Sequence, residues 1–152
     1  MTGTAPRRTP NQAPQAGSLQ ARRGTPAPVL EKVFDSGSLS GLRSMILRHC
    51  LALADRDAAE GMVLVAHELS TNAIRHGGGH GRLRLWAADG RLWCEVSDQG
   101  PGLPEPAFAG TTQPEPSTLG GRGLWIARQM SDLTITSTTA GTTITASVPR
   151  TG

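Results

Sequence analysis

Glu68 and Asn72 stand four residues apart in the stretch HELSTNAIRHGGG, which runs from His67 to Gly79. In a helix that spacing sets one above the other on a single face. A carboxylate beside a carboxamide is the pairing expected of a catalytic base and a ligand for a hard metal ion. Met62, Val65, Ala66, Leu69 and Ala73 recur with helical period, and Glu68 and Asn72 border that apolar stripe instead of opposing it. Both side chains are therefore expected to face a cavity beside the core. Two glycine-bearing segments follow, DQGPGLP from Asp98 and GGRGLW from Gly120. Alternation over residues 92–97 sends Asp98 to the same side as Leu92, Cys94 and Val96. A carboxylate delivered to a buried face needs a donor: a protein group, a water or a ligand amine.

The elements that must position these groups can be read in order. A short edge strand is expected over 29–34, ending at Asp35-Ser36-Gly37, and then a helix over 39–53 with Leu42, Met45, Ile46 and Leu53 on its apolar side and serines to cap its start. The central helix opens at Arg56-Asp57, with Asp57 as its N-cap, and stops at the triple glycine 77–79. Strands over 82–86 and 92–97 flank Asp89-Gly90 and make a hairpin. Residues 103–119 hold four prolines and almost no periodic apolar residue, so they read as a lid or binding loop. A helix over 124–131, whose first amides could hold an anion, and two Thr-rich alternating strands over 133–137 and 142–148 close the chain. Strands joined by short turns, with few crossovers, predict an α+β two-layer sandwich. Its helices cover one face of a mixed, mostly antiparallel sheet.

Composition narrows the functional classes. The 152 residues suit one domain with a single core. The formal charge of +3 is uneven: Arg7, Arg8, Arg22 and Arg23 fall in an acid-free segment, leaving 11 basic against 12 acidic residues from Val29 onward. The folded part is thus not a basic domain, and with five aromatic residues it offers few platforms for bases, so no direct nucleic-acid partner is expected. Residues 1–28 are rich in Pro, Gln, Gly and Thr and are expected to be a disordered tail, with the domain over 29–149. No apolar run suits a membrane span or a signal peptide, which predicts a soluble cytoplasmic protein with no membrane partner. Cys50 and Cys94 lack metal-site spacing and are expected to pack as reduced apolar residues. His49 reads as an ordinary surface or interface histidine.

Each motif alone also fits a solvated helix edge or a plain turn. The three together, ELSTNAIRHG, DQGPGLP and GGRG in that order, resemble the Bergerat-fold ATPases, the group of gyrase B, Hsp90, histidine kinases and MutL. Within it the chain is most similar to the anti-sigma factor serine/threonine kinases of actinobacteria. The resemblance spans residues 29–148. It implies ATP and Mg²⁺ as cofactors, Glu68 as general base and Asn72 as the residue that helps hold Mg²⁺ against the phosphates. It further implies that His76 lies near the phosphates, and that Asp98 accepts a hydrogen bond from the adenine amine with Gly100 and Gly102 beneath the ring. Gly121 and Gly123 are the matching phosphate-side glycines, and residues 103–119 become the ATP lid. Since no GxxxxGK[ST] occurs and Lys32 is the sole lysine, phosphate charge must be met by Mg²⁺, backbone amides, His76 and Arg122. The implied partners are a sigma factor and a STAS-type anti-anti-sigma protein, with homodimerisation also implied. Two other functions fit the same motifs: a nucleotide-gated binding module without phosphoryl transfer, and the catalytic domain of a split histidine kinase. The last is disfavoured because the sequence shows no long helical hairpin bearing an acceptor histidine.

Overall fold

A computed structural model describes residues 26–103, 110–111 and 122–151. Five strands form one sheet: β1 (Leu30–Asp35), β2 (His80–Ala88), β3 (Arg91–Asp98), β4 (Asp132–Thr138) and β5 (Gly141–Pro149), in the spatial order β1-β2-β3-β5-β4. All four pairings are antiparallel. The expectation of a mixed sheet is corrected to that extent. β1 does lie at an edge, as expected. The β2–β3 turn takes Asp89 and Gly90 through φ of 56° and 74°, the left-handed pair that matches strand twist in a two-residue hairpin.

Among the described residues three helices cover one face: α1 (Leu39–Leu53), α2 (Arg56–His76) and α3 (Arg122–Met130). The register explains which face. Leu83, Val96 and Ile144 lie in one row across β2, β3 and β5, and Leu85, Cys94 and Ala146 in the next, all essentially buried. Leu42, Ile46 and Cys50 from α1 and Met62, Val65, Ala66, Leu69 and Ala73 from α2 close over them. Burying one such large aliphatic side chain contributes roughly 1.5–3 kcal/mol. The opposite face carries most of the threonines of β4 and β5, as expected, and is more exposed toward β4. There Trp86 and Trp93, directly paired across β2 and β3, stack with centroids 6.0 Å apart, and Arg84 reaches over Trp86 and toward Glu95.

Helix starts differ from expectation in detail. Asp35 caps a 3-10 turn over Ser36–Ser38, accepting from the Gly37 and Ser38 amides, and Ser38 makes no side-chain cap for α1. Asp55, not Asp57, is the N-cap of α2, and its carboxylate accepts from the Ala58 amide at 2.9 Å. Only the residue with extended backbone just before the first turn can aim its oxygen at the free amides, and Asp57 is already inside the helix. The α1–α2 corner is tied to the end of β5: Arg150 donates from Nε to the Leu53 carbonyl at 2.6 Å, and its own carbonyl accepts from the Asp55 amide at 3.0 Å. That clamp fixes where α2 begins, and hence where Glu68 falls.

Candidate nucleotide site

Along α2, Glu68 and Asn72 are half-buried beside a fully buried stripe, as their spacing predicted. α3 runs along this edge. Gly61 of α2 meets the Met130 side chain at one end of the contact, and Glu68 meets Gly123 at the other. A Cβ added to Gly123 would fall 2.7 Å from Glu68 Oε1, so a larger residue there would displace the carboxylate from its present position. Among the described residues neither Glu68 nor Asn72 has a hydrogen-bond or ion-pair partner. They form an acceptor-rich edge opposite the amino-terminal turn of a helix, whose free amides favour negative charge.

Asp98 is held very differently. Its Oδ1 accepts from the Gly100 amide at 2.9 Å and from the Thr142 amide at 3.3 Å, while Oδ2 makes no hydrogen bond among the described residues. The side chain lies on the inner face, where the alternation put it, in register with Thr142 of β5. Gly77 ends α2 by donating to the Ala73 carbonyl, and its Cα presses on the Asp98 carboxylate so closely that any side chain there would collide with it. Gly100 in turn packs on the Gly77 and His76 backbone. The end of α2 and the end of β3 are thus locked together through two glycines. This lock sets the distance from Asp98 to the Glu68–Asn72 edge.

Residues 34–148 match the family model described as the histidine kinase-like ATPase domain. The chain belongs to that family. No curated protein matches its sequence. Its fold is similar to that of the histidine kinase domain of the Erythrobacter litoralis EL346 blue-light activated histidine kinase, with 23% identity, TM-score 0.50, and coverage of 75% of this chain and 64% of that one. It is also similar to the mycobacterial sensor histidine kinase MprB (20% identity, TM-score 0.50, 79% and 97% covered) and to the catalytic domain of histidine kinase ThkA (18%, 0.52, 81% and 97%). This chain therefore spans just under two thirds of the length of the first of these relatives.

In this histidine kinase-like ATPase domain the remaining expected site residues fall as follows. His76 is the exposed last residue of α2, next to Arg75, where cations complement the helix dipole. Gly102 has a φ of +91°, which glycine alone adopts easily, and lies at the root of the 103–119 segment. Arg122 opens α3. Gly121 and most of 103–119 lie outside the described residues, as do residues 1–25 of the tail expected over 1–28; Gly110 packs against Leu124. A cavity of about 380 Å³, lined by Val33, His80, Arg82, Ser97, Asp98 and Gln99, opens at the outer face near the same sheet end. It includes neither Glu68 nor Asn72, and the inner-face groups around Asp98 make the better candidate site.

Both cysteines are free and buried. Burial pushes the Cys50 thiol up to about 12, and burial followed by the charges of Cys50 and Glu95 raises that of Cys94. Neither can supply a nucleophile near neutral pH. His49 bonds through Nδ1 to the Met45 carbonyl and has no place in the site. Two features escaped the sequence reading. Gly77 was legible only as a helix terminator, although three successive glycines exceed what a helix end needs. Thr142 and Ser137 looked like ordinary members of a Thr-rich sheet, yet both face inward, Thr142 beside Asp98 and Ser137 beside Thr142. Among the described residues no helix is long and apolar enough to cross a membrane.

Proposed function

We propose that this chain binds ATP between the Glu68–Asn72 edge, the end of β3 and the start of α3, and acts as an anti-sigma factor with serine/threonine kinase activity. The observation that carries the reading is the pair of half-buried oxygen groups Glu68 and Asn72, with Glu68 set against Gly123, while the carboxy-terminal end of the same helix is locked to Asp98 through Gly77. Asp98 Oδ2 is the acceptor for the adenine amine, with the Gly100 and Gly102 backbone beneath the ring. By the resemblance of the motifs, Gly121, Arg122, Gly123 and His76 are the residues that meet the phosphates.

The donor set fits Mg²⁺. Among the described residues no cluster of three or more His, Cys, Asp or Glu side chains exists that could hold a metal unaided. A lone carboxamide oxygen suits a hard cation that arrives with phosphate oxygens and waters already bound. Mg²⁺ bound there would neutralise charge on the β- and γ-phosphates. Asn72 would hold it in place. Glu68 accepts the proton of the attacking hydroxyl as its oxygen bonds to the γ-phosphorus, the bond to the β–γ bridging oxygen breaks, and ADP leaves.

The finer reading rests on the resemblance of the three motifs to the actinobacterial anti-sigma kinases. The acceptor is then a serine or threonine of a STAS-type anti-anti-sigma protein, the second partner a sigma factor, and the working form a homodimer in the cytoplasm. Labelled ATP with Mg²⁺, this protein and a STAS-type partner should give an acid-stable phosphoester on the partner. An acid-labile phosphoramidate on a histidine would favour a split histidine kinase, the reading to which the histidine kinases among the structural relatives lend support. Tight nucleotide binding with no transfer to any partner would leave a nucleotide-gated binding module.

A further inference from the structure

Ser137, on the inner face of β4, stands directly across from Thr142, which stands across from Asp98. The Ser137 hydroxyl accepts from the Leu103 amide at 2.8 Å and lies 2.7 Å from Thr142 Oγ1. Thr142 is only 4% exposed, and its own amide donates to Asp98 Oδ1. The root of the 103–119 segment is held from a second side as well, because Gly102 packs directly on the Thr138 carbonyl. A polar line therefore runs from the Leu103 backbone through the Ser137 and Thr142 hydroxyls, and the Thr142 backbone amide joins it to the carboxylate at the end of β3.

An amide N–H can only donate, so Leu103 occupies a lone pair of Ser137. A hydroxyl that accepts such a bond becomes a better donor, which favours Ser137 giving its proton to Thr142 Oγ1. The Thr142 proton is then released to point away from Ser137, beside the Asp98 carboxylate. A fixed acceptor next to a fixed donor is the complement of the adenine edge, where an exocyclic amine adjoins a ring nitrogen acceptor. Guanine presents the reverse order, a carbonyl oxygen beside a ring N–H.

We propose that Ser137 is a positioning residue that sets the polarity of Thr142 and so selects adenine over guanine nucleotides, directly or through one bridging water. The inference rests on the reading that Asp98 receives the purine amine. It assigns to Ser137 no contact with the nucleotide.

The test compares ATP and GTP affinities by calorimetry for the unmodified protein, Ser137→Ala and Ser137→Thr, with hydrogen exchange at the Leu103 amide measured in each. Ser137→Ala should lower the ATP-over-GTP preference about tenfold, the scale of one lost hydrogen bond, and speed exchange at Leu103. Ser137→Thr, which keeps the hydroxyl, should restore both. If Ser137→Ala does not fold, Thr142→Val is close in shape and should show the same loss of preference. A Ser137→Ala protein that binds ATP with the unmodified preference overturns the inference while leaving the nucleotide reading intact. An unmodified protein that binds neither nucleotide removes that reading, and this inference with it.

Discussion

The two ends of the groove are built on opposite principles. At the Asp98 end the carboxylate already accepts from two backbone amides, and glycines at 77 and 100 bring a helix end against it. At the Glu68–Asn72 end two oxygen groups of comparable burial have no partner among the described residues. Both groups keep access to water, so they stay available to a ligand that displaces it. The contrast teaches a division of labour. On the proposed reading, recognition at Asp98 is pre-organised by main chain, whereas the Glu68 edge is left open for a carboxylate that takes a proton.

Substitutions at the two ends should therefore fail in different ways. The largest effect is expected from Glu68→Gln, which keeps shape and burial but removes the base: phosphoryl transfer should fall about 10²–10⁴-fold in single-turnover assays while ATP affinity stays within a few-fold. Intact transfer would take Glu68 out of that role. Gly77→Ala comes next, because its Cβ would overlap the Asp98 carboxylate and lie 2.6 Å from the Ala73 carbonyl. It should lower unfolding free energy by about 1–3 kcal/mol, read by denaturant titration, and weaken ATP binding at the same time. Asp98→Asn should weaken ATP about tenfold with little change in melting temperature, since an amide can still accept but also presents a donor to the adenine amine. Unchanged affinity would mean that the recognition end has been placed wrongly. The smallest effect belongs to the open sheet face: Trp93→Ala should cost about 1 kcal/mol through the lost stack on Trp86 and leave nucleotide affinity untouched.

Much of this architecture was legible because it rests on local rules. Helical period marked the buried stripe of α2, and alternation sent Asp98 inward. Asp89-Gly90 marked the hairpin, and the span of α1 was read to the residue. These are signals a chain carries in spacing alone. What the sequence left hidden depends on close approach between distant segments. Gly77 against Asp98, Gly123 against Glu68, and the Leu103–Ser137–Thr142 line each join residues whose meeting follows from sheet order and helix packing. The N-cap of α2 shows a smaller limit of the same kind. Asp55 and Asp57 are equally good cap residues by type, and only the clamp of Asp55 to Arg150 decides where the first turn starts.

The central claim is that this groove holds Mg²⁺-ATP. Calorimetric titration of ATP into the purified chain, with Mg²⁺ and then with a chelator in its place, tests it most directly. The account predicts binding in the micromolar range that weakens sharply when Mg²⁺ is removed. No heat of binding at millimolar ATP in the presence of Mg²⁺ would contradict it, and would leave the fold as a scaffold for protein contacts alone.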